Sequence, residues 1–153
     1  NMTISEAIDF FTEHNQPVIV KRLKPLYDVG LGYIKLGQNS STLSGGENQR
    51  VKLAYFLSKG SNEKKTIFIF DEPSTGLHFY DILKLNECFD ELVNLGHTVV
   101  VIEHNLDIIK TADWLIELGP GGGKKGGNII FEGKPKSLLK EDTPTSKYLK
   151  EKF

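Results

Sequence analysis

The sequence predicts an α/β fold with a mostly parallel sheet and flanking helices. Two short apolar runs are rich in β-branched and aromatic residues: residues 66–70 are predicted to form a strand buried on both faces, and residues 98–102 the next buried strand. Between them, residues 79–95 place apolar side chains at helical spacing, as expected of a helix that crosses from one parallel strand to the next, and Gly96 is placed to end this helix. A third strand at residues 114–118 continues the alternation. Because parallel strands end at one edge of a sheet, ligand-binding groups are expected there.

The composition is that of one ordinary globular domain. The chain has 153 residues, of which 39% are hydrophobic and 25% charged, enough to bury a core. Its formal net charge of -1 provides no overall basic field, so a nucleic-acid contact would need a local patch. Cys88 is the only cysteine, and no apolar run approaches the roughly 20 residues of a membrane span. We therefore expect a cytoplasmic protein without membrane contact, and the lack of a secretory leader predicts a segment cut from a longer chain.

The first 36 residues are predicted to be helical. Thr3 and Glu6 have the spacing of a capping box, which marks a helix start. Pro17 begins a second helical segment, and Pro25 is expected to break or kink it.

The C-terminal region is predicted to contain a glycine-rich connection, a strand and one short helix. Residues 121–126 match G-x-G-x-x-G by count, but a strand at residues 128–132 follows instead of a helix. A loop or hairpin turn is therefore favoured over a dinucleotide site. Lys124 and Lys125 fit a solvated charged turn better than a contact to a phosphate backbone. A short helix after Pro135 and a polar tail complete the chain.

Residues 43–50, LSGGENQR, are the most informative segment. Ser44, Gly45 and Gly46 stand at the start of a predicted helix, whose unpaired N–H groups and partial positive charge attract phosphate. Ser44 and Glu47 also have capping-box spacing, which explains both residues without a ligand. Capping does not explain the glycine pair. The segment can therefore be interpreted either as a phosphate-binding site or as a helix cap without a ligand.

Acidic and imidazole side chains follow the two predicted buried strands. Asp71 and Glu72 end the first strand, where one carboxylate could hold Mg²⁺ through water and the other could orient the water that attacks ATP. His104 follows the second strand, within plausible reach of a γ-phosphate. The alternatives are an acidic surface turn and a structural or surface histidine. One cysteine and scattered histidines do not make a zinc site.

The order of these motifs resembles that of ABC ATPases. Residues 43–47, 67–73 and 101–104 are similar to the signature motif, the Walker B strand and the switch histidine. Residues 32–38 and 71–79 more narrowly resemble the second ATPase module of the UvrA family, the damage-sensing component of the ABC excinuclease in nucleotide excision repair.

The resemblance implies a partial P-loop NTPase fold of ABC type. Residues 1–43 would form the helical part of a signature subdomain, and residues 44–153 the C-terminal part of the ATPase domain. Asp71 would serve Mg²⁺, Glu72 the attacking water and His104 the γ-phosphate. The residues expected to contact an ATP held mainly by another module are Ser44, Gly45, Gly46 and Glu47.

The resemblance also implies partners and a missing half of the site. A complete protein of this family would dimerise with a second UvrA protomer, hydrolyse ATP, bind damaged DNA and load UvrB, with zinc in modules outside this segment. The P-loop pattern G-x-x-x-x-G-K-[ST] does not occur in this sequence, so the isolated chain is expected to be inactive. The alternatives are the nucleotide-binding component of an ABC transporter and a non-catalytic ABC-like interaction module.

Overall fold

The chain forms two compact units, Asn1–Glu103 and His104–Phe153. The computed structural model describes residues 2–59, 64–123 and 126–153. The predicted boundary between the signature subdomain and the rest of the ATPase domain, at residues 43 and 44, lies inside the first unit. It stays a prediction. Lys124 and Lys125, predicted to form a charged turn, lie outside the described residues.

The first unit begins with the predicted capping box. Helix α1, Ile4–Glu13, starts where the Thr3 hydroxyl accepts from the Glu6 N–H at 3.2 Å, and the Glu6 carboxylate accepts from the Thr3 N–H at 2.8 Å. Ile4 and Ala7 on its apolar face are buried. This helix start is therefore confirmed.

The expected break at Pro25 is wrong. Helix α2, Pro17–Leu26, starts at the predicted proline and runs through Pro25. Pro25 cannot donate an N–H to the carbonyl of residue 21, yet the backbone stays helical through Tyr27, which has φ of -66° and ψ of -43°. The helical path changes instead at Gly30, whose φ of 78° lies inside a π-helical turn, Tyr27–Leu31. A short 3₁₀ turn, Ser40–Thr42, then leads to helix α3, Gly45–Lys59.

A parallel strand pair with a crossover helix forms the rest of the first unit, as predicted. Strand β1, Ile67–Asp71, pairs in parallel with β2, Thr98–Ile102, and helix α4, Phe79–Asn94, connects them. Gly96 follows α4 with a φ of 88° and donates its N–H to the Val93 carbonyl at 2.8 Å. The predicted glycine at the helix end is therefore confirmed.

Only one face of β1 is buried, so the prediction of burial on both faces is wrong. Phe68 and Phe70 point inward, and their rings contact aromatic rings of α3 and α4 at centroid distances of 4.9 and 5.2 Å. Ile67 and Ile69 on the other face are 67% and 69% exposed. The reason is that α3 and α4 both pack against the phenylalanine face.

The second unit departs from the predicted parallel sheet. Strand β3, Leu115–Gly119, pairs with β4, Asn128–Gly133, in antiparallel orientation. The connection is too short for a parallel crossover, which needs a dozen or more residues. The described residues therefore form one parallel strand pair and one separate antiparallel pair. The antiparallel pairing of β3 with β4 agrees with the loop or hairpin turn favoured between them.

Three short helices pack with this hairpin around a small core. Helix α5, Leu106–Ile109, follows the end of β2, and helix α6, Pro135–Leu138, is the short helix predicted after Pro135. Helix α7, Pro144–Leu149, and a 3₁₀ turn, Lys150–Lys152, occupy the region predicted as a polar tail. The buried core residues of this cluster are Ile109, Leu138 and Leu149. Within the described ranges, no helix is long and apolar enough to cross a membrane.

Candidate functional site

The N-terminus of α3 is capped as the sequence predicts. The Glu47 N–H donates to the Ser44 hydroxyl at 3.3 Å, and the Ser44 N–H donates to the Glu47 carboxylate at 2.6 Å. The Tyr33 hydroxyl donates to the other carboxylate oxygen. The hydrogen bond from Tyr33, followed by that from Ser44, lowers the pKa of Glu47. Glu47 is thus an ionised side chain that shapes the start of this helix.

The two glycines of the segment have different surroundings. Gly45 is exposed, and a Cβ placed there would meet no atom within 4 Å. Gly46 is buried, and a Cβ there would lie 3.5 Å from the Glu72 carbonyl oxygen and 3.7 Å from that of Pro73. Gly45 therefore leaves room for a ligand, whereas Gly46 allows close packing within the chain.

Asp71 and Glu72 are brought together, both exposed, at the carboxyl end of β1. Glu72 has a φ of 47°, a left-handed conformation that is uncommon outside glycine. Its N–H donates to the Ile102 carbonyl at 2.9 Å, and its carbonyl accepts from the Thr75 hydroxyl at 2.9 Å. The surrounding backbone thus imposes an unfavourable conformation on an exposed acidic residue, as is frequent at functional sites.

Glu103 links the ends of the two parallel strands, and sequence reasoning did not single it out. Its carboxylate accepts from the Ser74 N–H at 2.9 Å, which fixes the turn that follows β1. His104, the next residue, is exposed and is the first residue of the second unit. Its predicted contact with a γ-phosphate stays a prediction.

Two further residues near the strand end were missed, Gln49 and Arg50 of α3. The Gln49 amide hydrogen-bonds to the backbone of Asp71, and the buried Arg50 guanidinium donates to the Pro73 carbonyl. A signal for Arg50 was available, because helical spacing places it on the same face as Leu53 and Ala54, which are also buried.

Asp71 and Glu72 are the residues whose fit to the predicted Mg²⁺ site can be judged from their side chains. The described ranges contain no group of three or more His, Cys, Asp or Glu side chains able to hold a metal ion. Mg²⁺ commonly binds through one or two carboxylates and takes its other ligands from water and phosphate. The exposed carboxylates of Asp71 and Glu72 fit that donor set.

Comparisons with known proteins identify the family. No protein-family model matches the chain. The UvrABC system protein A of Thermus thermophilus is 54% identical over 149 residues, which are 97% of this chain and 15% of that protein. By sequence, this chain belongs to the UvrABC system protein A family. The UvrABC system protein A of Clostridium perfringens is 55% identical over 151 residues, or 98% of this chain and 16% of that protein. The chain therefore spans about 15% of the length of these UvrABC relatives.

A solved structure agrees with this assignment to UvrABC system protein A. The crystal structure of UvrA2 from Deinococcus radiodurans matches 98% of this chain and 18% of its own, with a TM-score of 0.80 and 38% sequence identity. The fold of this chain is thus that of a UvrA segment, and the predicted resemblance to the UvrA family is confirmed.

Proposed function

We propose that this chain supplies the signature and Walker B half of composite ATP sites in a damage-recognition ATPase of nucleotide excision repair. The names of its relatives favour repair over an ABC transporter. The observation that carries the proposal is the exposed Glu72, with its left-handed backbone, directly after Asp71 at the end of a strand. An ordinary acidic turn has no need for that conformation.

Hydrolysis in this proposal depends on the two carboxylates. Asp71 would hold Mg²⁺, through water, and the ion would neutralise charge on the phosphates. Glu72 orients the attacking water and accepts its proton. The hydrogen bonds of the Glu72 main chain to Ile102 and Thr75 support this role, because they fix the backbone that carries the carboxylate.

The start of α3 meets a nucleotide held mainly by another module. Ser44 and Gly45 present a helix N-terminus and open space to its phosphates. Gly46 and Glu47 contribute in this proposal by shaping that helix end, since both are engaged within the chain. His104 donates to the γ-phosphate from the start of the second unit.

The proposal also covers the full-length protein that contains this segment. It dimerises with a second UvrA protomer, binds damaged DNA in the cytoplasm and loads UvrB, and it carries zinc in other modules. The net charge of -1 over this segment fits a DNA contact made mainly elsewhere.

The test is Glu72→Gln in the full-length protein that contains this segment. Glutamine keeps the shape but cannot accept the proton, so single-turnover ATP hydrolysis at this site should fall by about 100-fold or more. Binding of Mg-ATP should change little. Glu13→Gln, an exposed carboxylate at the end of α1, is the matched control and should hydrolyse ATP normally. Unchanged single-turnover hydrolysis in Glu72→Gln would reject the catalytic assignment.

A further inference from the structure

The side chain of Gln49 pairs with the backbone of Asp71 as a neighbouring strand would. Its Nε2 donates to the Asp71 carbonyl at 2.9 Å, and its Oε1 accepts from the Asp71 N–H at 3.0 Å. On the opposite edge, the N–H of the next residue, Glu72, donates to Ile102 of β2 at 2.9 Å. The end of β1 is therefore fastened on both edges, by a strand on one side and by α3 on the other.

Two neighbouring contacts fasten the turn after β1 to the same helix. Arg50 is 1% exposed, and its Nη1 donates to the Pro73 carbonyl at 2.6 Å and to the Thr75 carbonyl at 3.4 Å. Gly46, one helical turn earlier, is close enough to the Glu72 carbonyl that a Cβ would lie 3.5 Å away. The helix thus contacts the strand end and its following turn from Gly46 to Arg50.

We propose that Gln49 is a positioning residue that makes the glycine end of α3 and the carboxylates at the end of β1 move as one body. The inference rests on the proposed function, in which the start of α3 meets nucleotide phosphates and Asp71 would hold Mg²⁺. A displacement of α3 on binding a nucleotide would then be passed through Gln49 to the backbone of Asp71.

Gln49→Met tests the linkage, because methionine keeps the length of the side chain and removes both hydrogen bonds. Gln49 is only partly buried, so the variant is expected to fold, whereas truncation of the buried Arg50 would endanger folding. Gln38→Met is the matched control, since the Gln38 amide donates only locally, to the Thr42 hydroxyl.

The first measurement is amide hydrogen exchange in this 153-residue chain, followed by NMR. The Asp71 N–H loses its acceptor in Gln49→Met and should exchange about tenfold faster. The amides of α4 should be unaffected, and Gln38→Met should leave the Asp71 amide unchanged. Unaltered exchange at Asp71 in Gln49→Met overturns the linkage. This result does not depend on any ATPase activity.

The second measurement is ATP hydrolysis by the full-length protein at varied Mg²⁺. Gln49→Met should lower kcat about tenfold, raise the Mg²⁺ concentration for half-maximal rate about threefold, and leave KM for ATP within about twofold. A purely structural anchor would lower kcat without moving the Mg²⁺ requirement, and that outcome overturns the positioning role. If the wild-type protein does not hydrolyse ATP, the proposed function fails and the positioning role fails with it, while the exchange result still shows whether Gln49 holds Asp71.

Discussion

Glu72 carries a conformational cost that glycine would avoid. Its φ of 47° places a side chain in the left-handed region, which costs roughly 1–2 kcal/mol for residues other than glycine. Glu72→Gly should therefore raise the free energy of unfolding by about 1 kcal/mol, measured by urea denaturation. Glu72→Gln has the same backbone requirement and should show no gain. Equal stability of the glycine and glutamine variants would contradict the strain.

Single residues were predictable where a local pattern marks them. Ser44 and Glu47 follow capping-box spacing, and Asp71 and Glu72 follow an apolar strand, so the sequence alone identified them. Gln49 bonds to a residue 22 positions away, and that partner depends on how α3 packs against β1. Spacing within one helix contains no such information, which is why Gln49 was missed.

At the scale of elements, the carboxylate of Asp107 ties α5 to the C-terminal turn. It accepts from Lys110 at 2.8 Å and Lys152 at 2.9 Å, and its side chain is 11% exposed. The hydrogen bond from Lys110, then that from Lys152, holds the pKa of Asp107 below its ordinary value of 3.8. A depressed pKa contributes stability that is fully present well above 3.8 and is lost as the pH falls through the lower folded value.

Asp107→Asn should thus destabilise the chain at pH 7 and lose that difference in acid. Urea unfolding of wild type and variant should give distinct midpoints at pH 7 that converge as the pH falls through the lowered folded pKa of Asp107. Asp113→Asn, an exposed aspartate of the same unit, is the control and should match wild type at both pH values. A midpoint difference that persists in strong acid would show that the charge of Asp107 is not its source.

Elements were predictable where they are long or capped. α1, α3 and α4 combine apolar periodicity with caps or a terminal glycine, and each was identified. α7 was missed because its six residues, PTSKYL, are mostly polar, and its buried Leu149 packs against residues outside it. β1 was recognised as a strand, but its second face was misjudged, since a continuous apolar run does not reveal which face is covered.

For the whole molecule, the missing P-loop predicts weak nucleotide binding by this chain alone. The pattern that cradles the β- and γ-phosphates is absent from its sequence, so α3 and the two carboxylates meet a nucleotide without the main source of affinity. Calorimetry with Mg-ATP should detect no sub-micromolar binding, with the full-length protein as the positive control. Sub-micromolar binding of Mg-ATP by the segment would contradict the proposal that it carries only half of an ATP site.

The exposed isoleucines of β1 affect the solubility of this segment. Ile67 and Ile69 form an exposed hydrophobic patch on a strand, and such a patch promotes aggregation in concentrated samples. Hydrophobic attraction weakens on cooling and strengthens in sulfate or phosphate. Aggregation of the segment should therefore be slowest in dilute, cold solutions buffered with chloride salts.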